Sequence, residues 1–285
     1  MIEVLELAGS ALFQDLGRAR LASGVPICGA FDRAAHSAGA LLVGGDPGQA
    51  SLELVGRAVL RPGTRITAAV TGRGRAWIDG RAVPLATSLE VAPGRSLELV
   101  AEGRLYLAVA GGLRPAPVLG SRSTSVLDGL GPPPVRGGDR LPISSNPESD
   151  TVGDVLRMAP ESSAVRVVAG PHLTLRPGVV EVVDTSRIGV RLRAATCGGP
   201  TSPADPGLLS CGVLPGTIQV LPSGDWMLLG PDAGTMGGYP IIGVVVTGDL
   251  GRWAHVQPGE LVELVPVRDA PAPVDPVILR VGRLG

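Results

Sequence analysis

With 285 residues, 44% of them hydrophobic, and a mean hydropathy of +0.30, the chain can bury one large core or two ordinary ones, which excludes a disordered protein despite 42 glycines and 27 prolines. A formal net charge of -1 without any basic block excludes a nucleic-acid binder. All 25 basic residues are arginine, so the chain has no Walker-type phosphate loop, no Schiff-base lysine, no Ser-Ser-Lys amidase centre and no attachment point for covalent biotin.

The first residues, Met1-Ile2-Glu3-Val4, lack the basic and long apolar regions of a signal peptide, and the apolar run Ile241 to Val246 is too short to span a bilayer. A cytoplasmic protein without membrane contact is expected. From Gln14 to Asp32, acids, an arginine and glycines are concentrated in a short apolar context, as in a loop that handles a polar ligand. Asp32 is positioned to cap a helix running to Leu42, with Ala34, Ala35, Ala38, Leu41 and Leu42 as its apolar stripe. Half-buried strands are then read at Ser51 to Val55, Arg65 to Val70, Ser96 to Val100 and Gly178 to Val183. Gly72-Arg73-Gly74-Arg75 reads as a connection between two strands. Later strands follow at Thr217 to Leu221, Met227 to Leu229, Ile241 to Val246 and Leu261 to Val265.

Between Arg114 and Asp150 the texture changes to serine- and proline-rich connections, and the strand rhythm restarts at Val165. The boundary is therefore expected near Ala159, giving domains 1–159 and 160–285. Closely spaced strands with a single helix predict an all-β sandwich or barrel. Its core must be Val, Leu, Ile and Ala, since aromatics are only 2%. Cys28, Cys197 and Cys211 show no CxxC spacing, and His36, His172 and His255 are scattered, so neither a disulfide framework nor a metal centre is indicated.

Collinear blocks carry a resemblance. They are Gln14 to Arg18, Gly24 to Asp32, Leu42 to Gly45, Ala108 to Gly112, Gly120 to Thr124, Gly170 to His172, Ser186 to Leu192, Pro215 to Val220 and Gly237 to Pro240. In these the chain resembles the biotin-dependent carboxyltransferase-like family, which includes the 5-oxoprolinase C subunit, allophanate hydrolase subunit 2 and the carboxyltransferase domain of urea amidolyase. The resemblance implies two cyclophilin-like β-barrel domains with few short helices. It implies one component of an ATP-dependent hydrolase for a small amide or lactam, most directly 5-oxoproline ring opening, and active only as a complex. A companion chain like the 5-oxoprolinase B subunit is the implied partner, with a lactam-hydrolase-like A-type chain as a further candidate. ATP, with Mg2+ carried on its phosphates, is the implied cofactor. Two alternatives stay open: biotin-dependent carboxyl transfer to urea or a related amide, and a catalytically silent regulatory role in which the chain only binds its companion.

Such chemistry needs stabilised charge on a carbonyl or phosphoryl oxygen, which arginine forks and backbone N–H groups can provide. On the family's motifs Asp232, Arg122, Asp32 and Arg18 are the catalytic candidates. Gln14, Asp15, Gly29, Ser121, Ser123, Arg187, Gln219, Gly237, Gly238 and Tyr239 are the substrate- or nucleotide-binding candidates. Plainer readings stand beside them: Asp32 as a helix cap, Asp15 as a turn acid, Gln219 as a buried amide, and Tyr239 packing on Pro240. The chain departs from the family pattern at Cys28 (usually Ser), Cys211 (usually Glu), Gly45 (usually Asn) and Ile241 (often Lys). These departures put catalytic competence in question.

Overall fold

The computed structural model describes residues 1–19, 23–157, 164–173, 175–196, 208–268 and 279–281. Ala159, where the boundary is expected, and Cys197 lie outside the described residues. The chain forms two compact units: one comprises Met1–Arg18, Cys28–Ala159 and Pro276–Gly285, the other Ala19–Ile27 and Pro160–Asp275.

The first unit carries β1 (Ile2–Gln14), α1 (Arg33–Leu42), β2 (Ser51–Pro62), β3 (Ile66–Ile78), β4 (Arg81–Val83), β5 (Ser88–Val91), β6 (Leu97–Val109) and β7 (Arg140–Leu141). The strands form one sheet in the order β4-β3-β6-β2-β1-β7, with β5 also pairing on β3, and every pairing is antiparallel. β8 (Val155–Arg157) pairs antiparallel with β18 (Leu279–Val281). Leu52, Leu54, Leu60, Leu97, Leu99, Leu105 and Leu107 fill the core with valines and alanines around them. The long strands β3 and β6 stay paired across a bulge on β6: Gly72 pairs with Leu105 and Gly74 with Ala101, so Glu102, Gly103 and Arg104 face the single residue Arg73. There the β6 backbone at Arg104 and Val100 occupies the space a Cβ would need, so only glycine fits. The Gly72 to Arg75 segment is thus part of β3, not a connection between two strands.

α1 follows the expected span, and Asp32 Oδ1 accepts the Ala35 N–H at 2.9 Å as its N-cap. Its buried residues pack on β3 and β6. That packing covers the outer face of the sheet: Ser51, Leu52, Glu53 and Leu54 are all buried, where alternation predicts a half-exposed strand.

The second unit is built from β9 (Ala164–Ala169), β10 (Gly178–Thr185), β11 (Gly189–Ala194), β12 (Cys211–Gly212), β13 (Thr217–Val220), β14 (Trp226–Leu229), β15 (Met236–Gly237), β16 (Ile241–Val245) and β17 (Leu261–Val267). Seven of these close a barrel in the order β10-β11-β14-β13-β16-β9-β17, in which only β17 and β9 run parallel. Closure leaves no exposed sheet edge. Alternate residues point inward: Val165 and Val167, Val180 and Val182, Val190 and Leu192, Ile218 and Val220, Val262 and Leu264 are fully buried with Trp226. β12 and β15 form a separate two-stranded ribbon. A 3-10 helix, Thr247–Ala254, buries Trp253. The protein is all-β, and no described helix is long and apolar enough to cross a membrane.

Candidate functional site

In the first unit β1 ends at Gln14, and the next four residues meet the segment 118–124. Asp15 sits at the centre. Its Oδ1 accepts the Gly17 N–H (2.8 Å) and the Ser121 hydroxyl (2.7 Å), and its Oδ2 accepts the Arg122 N–H (2.6 Å). Arg18 is 2% exposed and donates Nε to Val118 O (3.2 Å), Nη1 to Ser123 Oγ (3.0 Å) and Nη2 to Ser123 O (2.7 Å). Ser121 and Ser123 share a 2.7 Å hydroxyl–hydroxyl bond. Gln14 Nε2 donates to Thr124 O (3.0 Å), while Gln14 Oε1 and Thr124 Oγ1 are buried without a hydrogen-bond partner. Arg122 is half-buried and donates through Nη1 to Pro115 O. Six of the sequence candidates are thereby brought together in one bonded cluster.

Gly29 lies beside it with φ +79, and a Cβ there would stand 2.7 Å from Gly17 N and 2.9 Å from Asp15 O. Only glycine permits that approach. The residue before it, Cys28, is buried and also adopts a positive φ, 56°. Ala30 N donates to Asp15 O, so the 28–32 loop is pinned to the Asp15 turn.

Beneath that loop lies a group not singled out from the sequence. Glu53, buried on β2, accepts the Phe31 N–H (3.0 Å) and the Tyr106 hydroxyl (2.8 Å) through Oε2, and its Oε1 is 3.3 Å from Arg104 Nε. Tyr106 in turn accepts the Asp32 N–H at 2.8 Å. The Arg104 guanidinium stands over the Phe31 ring at 4.6 Å. Burial, reinforced by the Glu53 charge, pushes the Tyr106 phenol well above its ordinary value. His36, fully buried on α1, has Nε2 2.8 Å from Pro47 O and Nδ1 2.7 Å from Ser51 Oγ. Since a carbonyl only accepts, Nε2 carries the proton and Nδ1 accepts from serine. Burial lowers the His36 pKa from 6.5, against the opposing pull of the Pro47 carbonyl, Asp15 and Glu53. The signal that could have found this group is Glu53 and Tyr106 facing each other across β2 and β6, which needs the register.

In the second unit Arg187 and Asp232 form a bidentate pair, Nε to Oδ2 at 2.8 Å and Nη2 to Oδ1 at 2.7 Å, with side chains 12% and 3% exposed. Separately, Gln219 Nε2 donates to Tyr239 O (3.4 Å) and fills the space beside Gly237, where a Cβ would collide with it. Gly238 follows Gly237, and Tyr239 is 40% exposed. The departures from the family pattern have plain locations. Cys211 faces Gly237 across the β12–β15 ribbon and packs against Val213, Leu229, Ala233 and Ile241. Ile241 is buried and donates its N–H to His172 Nδ1 at 3.1 Å. Gly45 leaves the room that the Gln49 carboxamide occupies.

No three His, Cys, Asp or Glu side chains among the described residues are placed to hold a metal ion. Both oxygens of Asp15 and of Asp232 are already engaged by this chain, so neither fits direct coordination of magnesium.

A closed β-barrel unit and an antiparallel-sheet unit, each carrying several of the collinear motif blocks, are the architecture of a carboxyltransferase domain. The chain belongs to that family: the model of the carboxyltransferase domain, subdomain A and B, matches residues 23–266. Among curated proteins it is similar to the C subunit of 5-oxoprolinase from Escherichia coli, 31% identical over 93% of this chain and 91% of that one. The Haemophilus influenzae protein of the same name is 29% identical over 92% and 90%. Among solved structures it is similar to TTHA0988, with a TM-score of 0.80 and 29% identity over 93% of this chain and 55% of that one. The Kluyveromyces lactis urea amidolyase shares the fold at a TM-score of 0.80 and 21% identity, over 18% of its length. The chain thus spans about half, or less, of these solved structures.

Proposed function

We propose that this chain is the C-type component of a 5-oxoprolinase, contributing to ATP-dependent hydrolysis of 5-oxoproline to glutamate in complex with a B-type companion chain and a lactam-hydrolase-like A-type chain. The observation that carries this reading is the near full-length similarity to two proteins that bear the name of the 5-oxoprolinase C subunit. ATP belongs to the same proposal, with magnesium entering on its phosphates. In this reading Arg122 supplies fixed charge on the first unit; on the second, the Arg187–Asp232 pair acts by positioning, and Gly237, Gly238 and Tyr239 supply backbone and ring contacts. Arg18, Asp15, Ser121 and Ser123 hold the 14–18 and 118–124 segments together, and Asp32 fixes the start of α1 beside Gly29. These act by positioning.

The test mixes the purified chain with its A-type and B-type companions and follows glutamate release from 5-oxoproline with ATP. Turnover that requires this chain is expected. Turnover by the companions alone, or none in the mixture, overturns the proposal. A second reading, carboxyl transfer from biotin on another chain to urea or a related amide, is favoured by the description of the matching family. Its signature is a carboxylated product from a biotin-loaded carrier. Loss of both activities, with no ATP binding by calorimetry alone or with the companion, is the signature of a silent regulatory chain.

A further inference from the structure

Of the three histidines, His36 and His255 are buried and His172 is exposed. His172 follows β9 and meets the start of β16. Two glycines make that meeting close. A Cβ on Gly170 would stand 2.5 Å from Ile241 O, and one on Gly243 would stand 2.9 Å from Val168 O, so the two backbones approach as only glycine allows. Gly170 N donates to Ile242 O (2.9 Å) and His172 N to Ile241 O (3.4 Å).

In return the Ile241 N–H donates to His172 Nδ1 at 3.1 Å. A backbone N–H only donates, so Nδ1 offers its lone pair and the ring proton sits on Nε2. Among the described residues Nε2 makes no hydrogen bond, and the residue is exposed. A neutral imidazole held in this way can polarise a carbonyl oxygen as an N–H donor.

The neighbours of this donor are binding candidates read from the sequence. β16 lies between β9 and β13 in the barrel, and Ile241 pairs with Gln219 on β13. Gln219 Nε2 reaches on to Tyr239 O and packs against Gly237. The start of β16 is therefore gripped by His172 from one side and Gln219 from the other. His172 Nε2–H thus stands at the same end of the barrel as Gly237, Gly238 and Tyr239.

We propose that His172 is a further substrate-contacting residue of the second unit. Its Nε2–H donates to the carbonyl oxygen that gains negative charge as the amide opens. The proposal rests on the 5-oxoprolinase reading above, in which that oxygen belongs to the lactam.

The test separates the two ring nitrogens. Asn places an acceptor where Nδ1 stands and no donor at the Nε2 position, whereas Gln places an N–H near the Nε2 position and no acceptor at Nδ1. Both variants are assayed for glutamate release from 5-oxoproline in the mixture with the A-type and B-type companions, and for thermal melting as the full chain. His172→Asn should melt within about 2 °C of the native chain. It should lose about 100-fold in kcat while KM changes less than about 3-fold. His172→Gln should keep kcat within about 10-fold, even where its melting temperature falls. Long-range 1H–15N correlation on the chain labelled with 15N-histidine should show His172 as the Nε2–H tautomer at about pH 7. The Nδ1–H tautomer, or a loss of kcat in His172→Gln as large as that in His172→Asn, overturns the proposal and leaves His172 a structural role. Turnover unaffected by either variant overturns the proposal alone, whereas a native mixture without turnover overturns the 5-oxoprolinase reading and the proposal with it.

Discussion

Replacing Tyr106 by Phe removes one oxygen and leaves the ring, its edge-on contact with His36 at 6.1 Å and its contacts with Ala30 and Ala35 in place. Two bonds vanish with that oxygen: the donation to Glu53 and the acceptance from Asp32 N–H, both 2.8 Å long. A hydrogen bond to a buried charge contributes about 1.5–3 kcal/mol, and a buried backbone N–H deprived of its acceptor costs about 1–3 kcal/mol. The expected loss is therefore about 3–5 kcal/mol, with no cavity term because the volume hardly changes. At roughly 2–4 °C per kcal/mol for a protein of this size, calorimetric melting of the first unit should fall by about 6–20 °C. Combining it with Glu53→Gln tests the geometry further, since partners in one bonded group are non-additive by about 0.5–3 kcal/mol. A loss under about 1 kcal/mol, or strict additivity of the two changes, would refute the bridging role assigned to the hydroxyl.

Four further outcomes follow from the same physics. His36 is held neutral, so the unfolded chain takes up a proton first as pH drops below 6.5; stability present above that value should be lost on acidification, and His36→Gln should flatten the slope of melting temperature between about pH 7.5 and 5. Asp232→Ala strands the buried Arg187 charge and should cost the barrel about 3–5 kcal/mol in urea unfolding, whereas Arg187→Met with Asp232→Leu should cost much less. Gly29→Ala should destabilise by at least about 1–3 kcal/mol, read by thermal melting, because the added carbon meets the Gly17 and Asp15 backbone at a positive φ. Gly45→Asn, which restores the family residue, should destabilise alone and be rescued by Gln49→Ala, since the Gln49 carboxamide occupies the space required. Absence of that rescue refutes the exchange of volume between the two positions.

Much of the second unit was legible because its strands show a two-residue apolar rhythm facing a single core. Gly178 to Val183 starts with β10 and stops two residues short of its end, Thr217 to Leu221 runs one residue past β13, and Leu261 to Val265 starts with β17. α1 was legible from its cap and alanine stripe. β1 escaped because its burial alternates only at one end and gives way to an exposed stretch around Gly9. The half-exposed reading of Ser51 to Val55 failed for a tertiary reason, since α1 and the 28–32 loop cover the face that alternation leaves to solvent. The candidate residues were found as types in motifs. That Asp15 would bind Ser121 and Arg122, or Arg187 would bind Asp232, depends on contacts spanning 106, 107 and 45 positions, which no local pattern encodes.

The two units exchange segments along the chain: Ala19–Ile27 belongs to the second although both its flanks belong to the first, and β18 returns from beyond the barrel to pair with β8. Neither unit is therefore a contiguous gene fragment. A cut at residue 159 gives one piece missing the partner strand of β8 and another missing the nine residues that precede Cys28. Either piece made alone should aggregate, while co-expression of both should restore a soluble pair. Transfer of either half alone, cut at that junction, would leave part of its own unit behind.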